Sequence, residues 1–135
     1  MIYKSFGKAL IYDLMGHIAM NSIIKIVESV SAYNKELNEK IRKGTLVKPE
    51  RGLVMTFETF RKVFSAERIR LLQRMDAHSY ESIYQLAKDL GKPYEVVFRN
   101  LKYLEGMKLV KLERKDAKTV PFLAGKFTIE MFAEG

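Results

Sequence analysis

The chain has no cysteine and no tryptophan, only three prolines, and two histidines in 135 residues. Without cysteine there are no disulfides, no thiolate metal ligands and no cysteine nucleophile, and an intracellular, cytoplasmic protein is the expectation. His17 and His78 lie sixty-one residues apart, and no carboxylates cluster near either at ligand spacing. No metalloprotease helix, glycine-rich phosphate loop or nucleophile elbow is present. The expectation is a protein that is not an enzyme and carries no cofactor and no metal. Long hydrophobic runs are also missing. Lys4 and Lys8 precede an apolar stretch, but Asp13 and His17 interrupt it, so neither an export signal nor a membrane span is read there.

What remains is a chain of ordinary globular balance, 30 % charged and 47 % hydrophobic, long enough to bury a core without covalent staples. Its net charge is +8 and the excess is uneven: residues 61–118 carry +6, residues 1–60 carry +3 and residues 119–135 carry −1. A basic segment of this kind suits a polyanion, through phosphate contacts and counterion release.

Hydrophobic spacing sets the expected elements. Leu10, Ile11, Leu14 and Ile18 lie on one helical face, predicting a short amphipathic helix in residues 1–20. SIIKIV (22–27) and GLVMTF (52–57) read as strands. Between them Val30, Tyr33, Leu37 and Ile41 recur at helical spacing from Ser29 to Arg42, and Gly44 supplies the stop. Short helices follow over 58–64 and after Ser65. Ser82 with Gln85 then forms a capping-box pair opening SIYQLAKDL. Gly91 ends that helix, and Pro93 fits the first position of the next, where a missing N–H costs nothing. Leu109–Arg114 alternates like a strand, RKDAK is a polar loop, and KFTIEMF (126–132) alternates again.

Two helices joined by Leu90-Gly91-Lys92-Pro93 form a helix-turn-helix, and a hairpin directly after it makes the winged variety. The expected fold is therefore α+β: a winged helix-turn-helix over 52–135, with an N-terminal strand–helix–strand arm over 1–51. The apolar face of that arm (Ile24, Ile26, Val30, Tyr33, Leu37) exceeds the needs of a small domain and predicts a homodimer.

PYEVVFRNLKYLE (93–105) is the segment on which function turns. On a wheel of about 100° per residue, Tyr94, Val97, Leu101 and Leu104 form the core stripe and Arg99 falls opposite. Lys92, Glu95, Lys102 and Tyr103 lie beside Arg99, with Val96 at the border. In a helix-turn-helix the second helix enters the major groove. There Arg99 can pair bidentately with guanine, Val96 can meet a thymine methyl, and Glu95 can accept from cytosine. Tyr94 is counted among the candidate contacts as well. Lys92 and Lys102 suit phosphates, as do Arg114, Lys115 and Lys118 on a wing spanning 109–132. On an isolated helix the same residues would be an ordinary solvated face; the turn and hairpin shift the reading to double-stranded DNA. The alternative is a winged-helix module that binds a protein, as an antitoxin or transcription adaptor does, through Val96, Phe98 and Tyr103.

From about residue 22 onward the chain resembles a family of predicted archaeal winged-helix transcriptional regulators, related in fold to MarR-type regulators. The resemblance rests on Phe57-Glu58-Thr59, on Leu86-Ala87 with Leu90-Gly91, and on Tyr94, Val97, Arg99 and Leu104, with Gly44 and Pro49 in familiar places. It implies DNA-binding transcriptional regulation and names no operator or effector. Two positions depart from the pattern: Lys108 stands where a glycine precedes the wing strand, and Asn100 where an acidic residue often follows the arginine. Residues 1–20 match nothing in the family.

Overall fold

A computed structural model describes residues 2–6, 9–13, 22–44 and 52–131, with side chains from residue 23 onward. In chain order the first elements are β1 (Ile2–Phe6), β2 (Ala9–Asp13), β3 (Ser22–Ile26), α1 (Val30–Arg42), β4 (Gly52–Met55) and α2 (Phe57–Val63). They are followed by α3 (Ala66–Ala77), α4 (Ile83–Leu90), α5 (Tyr94–Gly106), β5 (Val110–Lys115), β6 (Lys118–Leu123) and β7 (Phe127–Glu130). The class is α+β. No helix among the described residues is long and apolar enough to cross a membrane.

The chain divides into two compact units: residues 1–63 with 126–135, and residues 64–125. The first unit is built on a five-stranded sheet of order β1-β2-β4-β3-β7. β3 and β4 run parallel, joined through α1, because parallel neighbours need a crossover rather than a tight turn. The β4 strand, read from sequence as the start of the DNA-binding domain, thus belongs to the N-terminal sheet. The helix expected within residues 1–20 is not formed over 2–6 or 9–13: β1 and β2 pair antiparallel in register Phe6↔Ala9 to Ile2↔Asp13. Ile2, Tyr3, Ile11 and Tyr12 are β-branched or aromatic, and pairing with β4 overrides the helical spacing of Leu10 and Ile11. The expected positions Leu14 and Ile18 lie outside the described residues.

Ser29 caps α1, its hydroxyl accepting from the Ala32 N–H at 3.2 Å. Val54 is fully buried, with Val27, Val30 and Tyr33 packed on it, while Lys25 Nζ donates to the Tyr33 hydroxyl at 3.3 Å. Ile24 and Leu37 are also buried. The apolar face predicted to bind a second copy is largely this unit's own core, so it offers no argument for a dimer.

The second unit holds α3, α4, α5 and the β5–β6 hairpin. Ser65 and Ser82 cap α3 and α4. Gln85 reaches back to the N–H of Glu81, one residue before the cap, at 2.8 Å. α4 packs on α5, α3 and α4 pack on β6, and α5 packs on β5. The core draws Leu71, Leu72 and Met75 from α3, Ile83, Leu86 and Ala87 from α4, Val97, Leu101 and Leu104 from α5, and Leu109, Val110 and Val120 around the hairpin.

The second strand of the hairpin corrects the sequence reading. KFTIEMF was expected there, which would have given a wing of 109–132. Instead β6 (KTVPFL) pairs with β5, and β7 runs parallel to β3 at the edge of the N-terminal sheet, from Ser22↔Phe127 to Lys25↔Glu130. Pro121 hides β6 in the sequence by removing a ladder donor. It is tolerated because a strand of a two-stranded sheet has an unpaired edge.

Candidate nucleic-acid interface

Gly91, at φ +65°, ends α4 in the left-handed conformation. Its N–H donates to Lys88 O and that of Lys92 to Ala87 O, the paired bonds of a Schellman ending. The chain turns at once: Pro93, at φ −60°, is the residue just before the first helical one, and its carbonyl accepts from Val97 N–H at 3.2 Å. Only Gly91, Lys92 and Pro93 separate the helices, so α5 is held by the α4 core.

α5 ends in the same way. Lys108 N–H donates to Glu105 O and Leu109 N–H to Leu104 O, with Lys108 at φ +65°. Lys108 therefore occupies the left-handed position in which the family resemblance places glycine, and the turn into the hairpin forms without it. Gly106 stays within the helix.

The outward face of α5 is a stripe of Tyr94, Glu95, Phe98, Arg99 and Lys102, all exposed. Positions i, i+4 and i+8 form one ridge (Tyr94, Phe98, Lys102), and i+1 and i+5 a second (Glu95, Arg99). Arg99 has no ion-pair partner among the described residues. Lys102 Nζ lies 2.9 Å from Glu105 Oε1 in an exposed pair of little net worth. Lys92 is exposed at the turn.

Three expected assignments on this helix change. Tyr94 is not in the core stripe: it is 42 % exposed and stacks on Phe98, with ring centroids 5.9 Å apart and planes 10° off parallel. It sits in the first turn, at the rim of the packed surface. On the other side of Val97, Asn100 joins the core instead, only 8 % exposed. Val96 is half-buried on the flank, away from the centre of the outward stripe. Tyr103 is held within the unit, because the Arg68 guanidinium of α3 lies 4.0 Å from its ring centroid. The same Arg68 donates from Nε to Asn100 Oδ1 at 3.0 Å, which satisfies the buried amide and ties α3 to α5. An acidic residue at position 100 would meet the same guanidinium.

A second brace ties α3 to α4. Arg74 Nη1 lies 2.8 Å from Asp89 Oδ2, and the buried Tyr80 hydroxyl donates to the same oxygen. The Tyr80 hydrogen bond, reinforced by Arg74, holds the Asp89 carboxyl below its ordinary value; burial, then the neighbouring carboxylate, raises the Tyr80 phenol. Arg74 is thus engaged within the unit, while Arg70 is exposed.

At the hairpin tip Asp116 (φ 49°) and Ala117 (φ 66°) make a two-residue turn with both central residues left-handed, which matches the twist of the flanking strands. Side chains alternate along each strand. Lys115 and Lys118 are register partners on one face, whereas Arg114, paired with Thr119, is on the other. The three cations predicted to act together are therefore split. Lys115 Nζ stands 5.2 Å from the Phe122 ring centroid and 4.0 Å from Glu113 Oε2. Lys111, 2.7 Å from Glu113 Oε1, chiefly holds that carboxyl below its ordinary value by hydrogen bonding. Arg114 and Lys118 are exposed with no ion pair among the described residues.

Phe98 and Tyr84 (37 % and 67 % exposed) were not counted among the DNA contacts in the sequence reading. For Phe98 the signal was there: it lies one turn after Tyr94, about 100° from the buried centre of the helix. No sequence signal marks Tyr84 beyond its outward position on α4.

Residues 63–126 match the model of a family described as HVO_A0114, a span that coincides to within one residue at each end with the second unit. No curated protein and no solved structure matches the chain.

Proposed function

We propose that the protein is a sequence-specific double-stranded DNA-binding transcriptional regulator whose second unit is a winged helix-turn-helix. α5 is the recognition helix and the β5–β6 hairpin, residues 110–123, is the wing. The observation that carries this reading is the outward stripe of α5, with Arg99 exposed and unpaired among the described residues, directly after a three-residue turn. A helix so placed presents its stripe to base edges, and a long planar guanidinium suits guanine O6 and N7. Lys92 at the turn and Lys118 and Arg114 on the hairpin supply phosphate contacts, in keeping with a net charge of +8. The resemblance carried by Leu86-Ala87, Leu90-Gly91 and Arg99 points the same way.

The exposed rings of Tyr84, Tyr94 and Phe98 favour a second reading, a module that binds a protein through an apolar surface. Salt separates the two. DNA held through several phosphates loses affinity steeply between low and physiological salt, whereas an apolar protein contact does not. The deciding experiment is selection of bound fragments from the host genome, followed by footprinting. Recovery of a shared sequence supports the proposal, and recovery of no DNA above background at low salt overturns it.

A further inference from the structure

We infer that the Tyr94–Phe98 ridge reads thymine, its two rings supplying the apolar contact to 5-methyl groups beside the base that Arg99 addresses. The inference rests on the duplex-reading function proposed above and assigns that site a base preference. Tyr94 and Phe98 stack at 5.9 Å with nearly parallel planes, so they form one apolar strip rather than two independent side chains. Both are substantially exposed, on the outward face of a helix whose opposite face is fully committed to the core. The strip runs into Lys102 along its own ridge, and the neighbouring ridge carries Glu95 and Arg99.

The surface facing this stripe must therefore be apolar over a narrow strip and anionic at its margins. It must also offer an acceptor to Arg99 and tolerate a carboxylate at Glu95. The floor of the DNA major groove has that character. Its apolar feature is the thymine methyl, guanine supplies acceptors, cytosine supplies a donor, and the phosphates lie at the rims. Val96, the first candidate for a methyl contact, lies half-buried on the flank of Arg99 away from the rings, which are the more exposed apolar groups of this helix.

The test uses the full chain and a random duplex library prepared twice, once with thymidine and once with deoxyuridine, which pairs identically but lacks the 5-methyl group. Sequences selected on the first library should bind about fourfold more weakly per contacted thymine when remade with deoxyuridine, equivalent to about 0.8 kcal/mol per buried methyl. Phe98→Ala should bind the thymidine and deoxyuridine forms alike. Equal wild-type affinity for the two forms overturns the inference without touching DNA binding, and so does a Phe98→Ala protein that keeps the full difference. Preference for single strands over either duplex also overturns it, in favour of base stacking on the rings. Failure to retain any duplex overturns the duplex-reading function itself, and this inference with it. The wild-type comparison needs no substitution, so a poorly folded variant leaves the answer intact.

Discussion

Arg99 and Lys102 are three residues apart on the same face, yet their replacement should read out differently. Arg99→Ala is expected to cost about 1–3 kcal/mol on a selected site and to relax the preference at one base position. Lys102→Ala should weaken all sequences alike and flatten the dependence of log K on log salt by about 0.9, the share of one phosphate. Titrations at several salt concentrations on selected and scrambled duplexes separate the two, and identical profiles for both variants would remove α5 as the reader. Two other residues bear on stability alone. Lys108 and Ala117 hold left-handed backbone at φ 65° and 66°, where a Cβ is crowded. Lys108→Gly and Ala117→Gly should each stabilise the fold by about 0.5–1 kcal/mol, net of the greater freedom of the unfolded glycine chain. Denaturant midpoints check this, and a fall in either midpoint would contradict it.

At the scale of elements, the α3–α4 brace gives a pH dependence of definite sign. The Asp89 carboxyl is held below its ordinary value of 3.8 in the folded state. A depressed carboxylate contributes stability that is present above the unfolded value and lost as pH falls through the folded one. Asp89→Asn should therefore lower the melting temperature near neutral pH, and the gap to wild type should close in acid below the ordinary carboxylate range. A gap that persists there would assign the loss to packing instead. Tyr80 runs in the opposite direction: its raised phenol supports the fold below pH 10 and that support fades as pH climbs through the folded value.

The elements themselves were unequally legible. Ser65, Ser82 and Gly91 announce helix ends by local chemistry, and the structure uses all three. So does Ser29 at the start of α1. The misses share one cause, which is that strand pairing is decided at long range. Leu10 and Ile11 fit a helical spacing but pair in a sheet, and KFTIEMF alternates like any hairpin strand while its partner is a hundred residues earlier. On α5, the wheel placed Val97, Leu101 and Leu104 correctly. It misplaced Tyr94 because a helix's first turn can sit at the rim of its packed face. Arg68 over Tyr103 joins residues thirty-five positions apart, and neither one's sequence neighbourhood points to the other.

For the whole molecule, the chain order carries its own consequence. The second unit spans 64–125, and only afterwards does the chain supply β7 to the sheet begun by the first strands. During synthesis β3 therefore emerges before both of its neighbours; β4 follows directly after α1, but the edge that β7 covers stays unpaired until about a hundred further residues have been made. The helical unit closes through nearer contacts in the meantime, and pairing at long sequence separation is the slower step. Pulse-labelling hydrogen exchange during refolding should show α4 and α5 amides protected before the β3–β7 ladder. A chain stopped at Gly125 should leave β3 as an open edge of the kind that invites unwanted strand pairing. β7, made after the whole second unit, closes a sheet edge that opened before that unit began.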